Sequence, residues 1–278
     1  MATSATQGNK LATYTLGHGK GTVGVHDGRT VANSARFLVH HLEPHMRILD
    51  IGCGPGSITV GLAELVPEGS VLGIDVSPTV LEQAKSTAEG RGLINITFQT
   101  GNVLEGLQFP DHSFDVVFTH QCLVHLSDPV KAMREMKRLC GVGGIVASRK
   151  GDLYIWYPRS DVLEGFIELV GEIMRRVGVH EPAAGRHLHV WARQAGFKSD
   201  EIEKSVSGTC SADPVKREKM RMFVHDQLGE KSMMRIGTLR MGKTTEQLDE
   251  ILKAIDEWAA NEDGWSSMMC GEIICHNT

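Results

Sequence analysis

The run Leu49-Asp50-Ile51-Gly52-Cys53-Gly54-Pro55-Gly56 sets an acid beside three glycines at alternate positions. Glycine lets a backbone turn sharply and approach a ligand closely, because it has no Cβ. A dinucleotide loop spaces its glycines as Gly-x-Gly-x-x-Gly and seats a pyrophosphate on the following helix. Here the third glycine, Gly56, comes one residue early, and Ser57 stands where that pattern requires glycine. The spacing departs from a nicotinamide-binding loop; an ordinary tight turn is the alternative. Asp75 stands about twenty residues beyond the loop, where a carboxylate can accept from both hydroxyls of a ribose. Its alternative is a helix cap before Ser77-Pro78. Thirteen histidines supply candidate bases, of which His18, His26 and His120 are the catalytic candidates. His187-Leu188-His189 is no metal pair on a helix, since residues two apart point about 200° away from each other. No metal is expected.

These residues need a frame, and hydrophobic periodicity provides one. Arg47–Ile51 is a short apolar run entering the glycine turn, followed by the helical pattern Ile58, Leu62, Leu65. A strand at Ser70–Asp75, a helix opened by Ser77 or Pro78, and strands at 96–99 and 114–119 continue the alternation. An amphipathic helix at Pro129–Leu139 precedes a break at Gly143-Gly144 and a strand at 145–148. Repeated βα units imply a parallel sheet with helices on both faces. His120 then lies at the carboxyl end of the fourth strand, the end at which open α/β sheets bind ligands. It either touches the cofactor or faces the second substrate, and a plain hydrogen-bonded loop histidine is the other reading. Helices are expected at 30–42, 163–177, 187–195 and 245–260, and late strands at 201–207 and 268–275. The charged, Met-rich segment 216–241 reads as an insertion over the open edge of the sheet.

Composition narrows the partners. The 278 residues carry a net charge of −5 and no basic arm, so nucleic acid is a poor partner. No apolar stretch is long enough for a membrane span, and residues 1–9 resemble no secretory signal. The six cysteines form no Cys-x-x-Cys pair, which fits a reducing compartment. A soluble cytoplasmic protein is expected.

The glycine loop after Leu49-Asp50 resembles the first motif of class I S-adenosylmethionine (SAM)-dependent methyltransferases. The resemblance covers nearly the whole chain. Residues 118–126, Asp128-Pro129, Arg134-Glu135-Met136, Gly143-Gly144 and Trp156-Tyr157-Pro158 look like those of ubiquinone/menaquinone-biosynthesis-type enzymes and their relatives in secondary metabolism. The N-terminal Tyr14, Gly17-His18, His26 and Arg29-Thr30, with Asp263-Gly264-Trp265 and Gly271-Glu272, look like a small-molecule subgroup. One departure is Gly141-Val142, where relatives often have a Pro-Gly-Gly turn.

The resemblance implies a Rossmann-like α/β fold with a mostly parallel seven-stranded sheet, helices on both faces and helical lid insertions. Residues 1–45 would form a flap and helix over the cofactor, and 46–278 the core, with a substrate lid at about 212–262. The cofactor would be SAM, leaving S-adenosylhomocysteine. It would lie on Asp50, Gly52, Cys53, Gly54, Gly56, Asp75, Val76 and His120. Asn102, where the family usually has Asp, and Val103 would meet the adenine. Tyr14, Arg29, Gln121, Trp156 and Tyr157 would line the acceptor site. The implied reaction is in-line attack on the sulfonium methyl by O, N or C of a small apolar or aromatic metabolite, in a chain expected as a homodimer. The competing reading is a SAM-binding protein that transfers no methyl, a SAM-assisted cyclase or an interaction subunit.

Overall fold

The computed structural model describes residues 28–176, 178–179 and 181–278. Seven strands form one sheet: β1 Arg47–Ile51, β2 Ser70–Asp75, β3 Ile96–Thr100, β4 Phe114–His120, β5 Cys140–Tyr157, β6 Ile202–Ser211 and β7 Trp265–His276. Their spatial order is β3-β2-β1-β4-β5-β7-β6. Strands β1 to β5 run parallel, and β7 enters antiparallel between β5 and β6. The expected fold class, a mostly parallel sheet of seven strands, is the observed one. The helices are α1 Arg36–Val39, α2 Thr59–Leu65, α3 Pro78–Gly90, α4 Pro129–Leu139, α5 Asp161–Arg176, α6 Leu188–Gln194, α7 Pro214–Leu228, α8 Met233–Arg240 and α9 Thr245–Ala260.

The central strands are apolar on both faces because helices cover both. On one side Leu49, Ile51, Val117 and Val146 pack with Ala132, Met133, Met136 and Leu139 of α4. On the other, Ile48, Val116, Phe118 and Ala147 pack with Leu38 of α1 and with Leu62 and Ala63 of α2. Helix α4 starts where Asp128 accepts from the Lys131 N–H at 2.8 Å and Pro129 takes the first position. Lys137 and Arg138 close its last turn, which complements the helix dipole.

Two expectations changed on folding. The helix foreseen at 30–42 is a π-helical turn, Val31–Ala35, followed by the four residues of α1. The strand foreseen at 145–148 is part of the much longer β5. Its outer half pairs only with β7, from Leu153 opposite Met269 to Tyr157 opposite Trp265. This ribbon projects past the parallel sheet and carries α5, α7, α8 and α9 around Trp156 and Trp258, whose rings meet edge-on at 5.1 Å. The Met-rich segment is therefore helical and shares a core of its own with α5 and the ribbon.

Candidate active site

A cavity of about 490 Å³ opens at the carboxyl ends of β1, β2 and β4. Asp50, the penultimate residue of β1, is buried and accepts from Thr59 Oγ1 at 2.7 Å. Burial pushes its carboxyl up to about 7, the Thr59 hydrogen bond opposes this, and the neighbouring Asp75 adds to it. Beyond Asp50 the chain turns. The N–H groups of Gly52 and Cys53 both donate to Ile74 O, at 2.7 and 3.0 Å, which ties the loop to β2.

The glycines divide the work. A Cβ on Gly52 would lie 2.6 Å from Cys122 Sγ, and one on Gly56 would lie 2.9 Å from Ala84 Cβ. Gly56 therefore lets the loop close on α3 and is absent from the cavity lining, contrary to the cofactor contact expected of it. Gly54 lines the cavity, and a Cβ there would meet nothing within 4 Å. All three have positive φ, where L-side chains are strained.

Asp75 braces this loop. Its Oδ2 accepts from Gly54 N and its Oδ1 from Ser77 N, each at 3.0 Å. It holds the start of α3 and the glycine turn together, and each oxygen retains a lone pair for a hydroxyl. Asn102 shows a similar economy: Oδ1 accepts from Leu104 N at 3.0 Å, and Nδ2 donates to Glu105 Oε1 at 3.0 Å. With Val76 and Val103 it lines the far end of the cavity. Cys53 and Cys122 also line it. Burial drives both thiols upward, Cys122 to about 12, so they are small neutral walls rather than nucleophiles.

His120, Gln121, His125, Arg29 and Lys150 line the cavity beyond the glycine loop. His120 is buried and its Nε2 lies 3.1 Å from Arg149 Nη1. Gln121 takes a positive φ of 58°, and its Oε1 accepts from Lys150 Nζ at 2.7 Å and Gly151 N at 3.2 Å. Trp156 and Tyr157, expected to wall the pocket, are placed elsewhere. Trp156 is buried against Trp258, and Tyr157 is exposed with its carbonyl accepting from Trp258 Nε1 at 3.1 Å. Tyr14, His18 and His26 lie outside the described residues.

Arg149 and Lys150 escaped the sequence reading, and Glu272 entered it only as part of a resembling motif, without a role. Arg149 and Glu272 form a buried ion pair at 3.1 Å behind His120, with Ser205 and Ser207 on Glu272. Lys150 enters the cavity from the middle of β5, one residue beyond its last pairing with β4, where the parallel sheet ends. The positional rule that singled out His120 on β4 applies equally to Lys150. Among the described residues no group of three or more His, Cys, Asp or Glu could hold a metal ion. No described helix is long and apolar enough to cross a membrane.

The residues fit SAM: Gly54 leaves room for a close backbone approach, Asp50 offers a buried carboxylate, and Asp75 and Asn102 add polar oxygen. Residues 42–179 match the family model of a methyltransferase domain. A protein of Aspergillus luteorubrus described as a probable methyltransferase is 35% identical over 277 residues, 94% of this chain and 96% of that one. An uncharacterized methyltransferase of Schizosaccharomyces pombe is 33% identical over 90% of this chain and 91% of its own. The solved YcgJ protein of Bacillus subtilis superposes with a TM-score of 0.53, covering 86% of this chain and 95% of that one at 20% identity. On this fold, this site and these relatives, the chain belongs to the class I SAM-dependent small-molecule methyltransferases, and its cofactor is SAM.

Proposed function

We propose that this enzyme methylates O, N or C of a small, apolar or aromatic metabolite. The observation that carries the reading is the continuity of the cavity from the Asp50–Gly54 loop, past Asp75, to His120, Gln121 and Lys150. One end suits a nucleoside and an amino acid, and the other offers space for an acceptor beside it. Bound SAM supplies a methyl already activated on a sulfonium, so the protein has chiefly to align and desolvate.

The residues divide accordingly. Asp50 is the counter-charge for the methionyl ammonium, Asp75 accepts from the ribose hydroxyls, and Asn102 and Val103 border the adenine. His120 is a positioning group more than a base, because its Nε2 faces a guanidinium that can only donate. The N-terminal residues Tyr14, His18 and His26 remain candidates for covering the acceptor.

Incubation with methyl-labelled SAM and a panel of small aromatic acceptors tests the reading. Expected is S-adenosylhomocysteine in step with a labelled product, and loss of SAM affinity in Asp75→Ala. SAM binding without any S-adenosylhomocysteine would favour the non-transferring alternative. The solved [4+2]-cyclase SpnF, at 22% identity and a TM-score of 0.50, shares this fold.

A further inference from the structure

Among the described residues, Lys150 is a cation without a counter-ion: no carboxylate lies within ion-pair distance of its Nζ, which donates to the neutral Gln121 amide oxygen at 2.7 Å. The carboxylate nearest in sequence, Asp152, is buried and held by Arg186 through Nε at 2.9 Å and through its backbone N–H. Arg29, a second cation on the cavity wall, opposes the charge on Lys150 more than the distant Asp152 carboxylate favours it. Cys270, on the adjoining β7, is a buried thiol whose pKa is raised by that burial.

The surroundings hold Lys150 in this place. Gln121 is fixed by its left-handed backbone and by the Gly151 N–H on the same Oε1. A Cβ on Gly151 would lie 2.8 Å from Met268 Sδ and 3.6 Å from Gln121 Nε2, so glycine lets Met268 and the glutamine pack closely against the strand here. Burying one ammonium at the wall of a cavity, held there by Gln121 from β4's end and by the backbone of β5, is costly unless a ligand supplies the missing charge.

We propose that Lys150 is the anion-recognising residue of the acceptor subsite, so that the methyl acceptor carries a negatively charged oxygen, a carboxylate or an ionised hydroxyl. This rests on the reading of the cavity as the joint site of SAM and acceptor. The Nζ has two further N–H bonds to offer beyond the one to Gln121. Burial and Arg29 push the Lys150 ammonium down to about 8, so it is charged at neutral pH and an arriving anion strengthens that charge.

The test uses the full chain saturated with S-adenosylhomocysteine, whose affinity is first measured for each variant. Two matched pairs are titrated by calorimetry: 2-naphthoate with 2-naphthamide, and 4-nitrophenolate with 4-nitroaniline. In the native protein the anion of at least one pair is expected to bind about tenfold or more tightly than its neutral partner. The pair that discriminates tells carboxylate from ionised hydroxyl. Lys150→Met should bring the two within about twofold, and Lys150→Arg should keep the preference. Equal binding of both pairs, no binding of either anion, or a preference that survives Lys150→Met overturns the proposal. Failure of the native protein to bind S-adenosylhomocysteine would instead strike the cofactor site, and the proposal with it.

Discussion

Arg149 Nη1 lies 3.1 Å from His120 Nε2 in a buried setting, and its Nε pairs with Glu272 at 3.1 Å. A guanidinium has no acceptor, so the imidazole must accept at Nε2, and the proton of the neutral ring belongs on Nδ1. The pair links the end of β4 to β5, and Glu272 extends the link to β7 and β6.

The first expectation concerns this chain of charge. Removing one partner leaves the other buried and uncompensated, so Glu272→Ala should destabilise by about 3–5 kcal/mol in urea denaturation. Glu203→Ala, which removes an exposed partner of His276, should change stability by less than about 0.5 kcal/mol. For His120, Gln offers Arg149 an acceptor and Ala does not. His120→Gln should therefore recover most of the stability and turnover lost in His120→Ala. Equal inactivity of the two variants would argue for proton transfer by the ring itself.

Asp50 makes stability depend on pH. Its carboxyl, ordinarily near 3.8, stands at about 7 in the folded protein. The folded state therefore holds this proton more tightly than the unfolded chain. That contribution is complete below pH 3.8 and is lost as the pH rises through 7. Asp50→Asn should be more stable than the native protein at pH 8, by at most about 4 kcal/mol, with the gap closing toward pH 4. Thermal melts across that range read it directly. Cation binding beside Asp50 should also release a proton below pH 7, and calorimetry in buffers of different ionisation enthalpy should lose that release in Asp50→Asn.

The loop glycines should separate by consequence. Gly52→Ala and Gly56→Ala meet atoms within 3 Å as well as an unfavourable φ, and each should cost about 3 kcal/mol or more. Gly54→Ala meets no atom, so only its backbone strain remains, about 1–2 kcal/mol. Its methyl would occupy ligand space, so SAM affinity should fall more than stability does. Melting temperatures with and without SAM distinguish the three.

Trp258 joins the helical cluster to the β5–β7 ribbon through its ring contact with Trp156 and its Nε1 bond to Tyr157 O. Trp258→Ala should destabilise by about 3–5 kcal/mol. Tyr157→Ala, a change at an exposed side chain whose carbonyl still accepts, should have little effect. A similar loss in both would place the support on the tyrosine ring instead.

The parallel half of the fold was legible because its signals are local. An apolar strand, a glycine turn and an amphipathic helix recur with little else between them, and Asp50, Gly54 and Asp75 fall where each unit ends. The antiparallel half was harder. The outer part of β5 alternates buried and exposed residues, and its partner, β7, lies more than a hundred positions away. Trp156 read as a pocket residue because an aromatic beside the fifth strand suits a pocket and a core equally. Only the arrival of Trp258 decides between them. The pairing of Arg149 with Glu272 was illegible for the same reason, since neither residue has its meaning without the other.

The place of β7 also bears on how the protein is made. It lies between β5 and β6, so during translation both strands must wait with unpaired edges until residues 265–276 leave the ribosome. Arg149 waits with them, without its acid. A nascent chain in that state offers two open strand edges to its neighbours. Chaperone dependence should therefore rise in step with any mutation that slows the docking of this one strand.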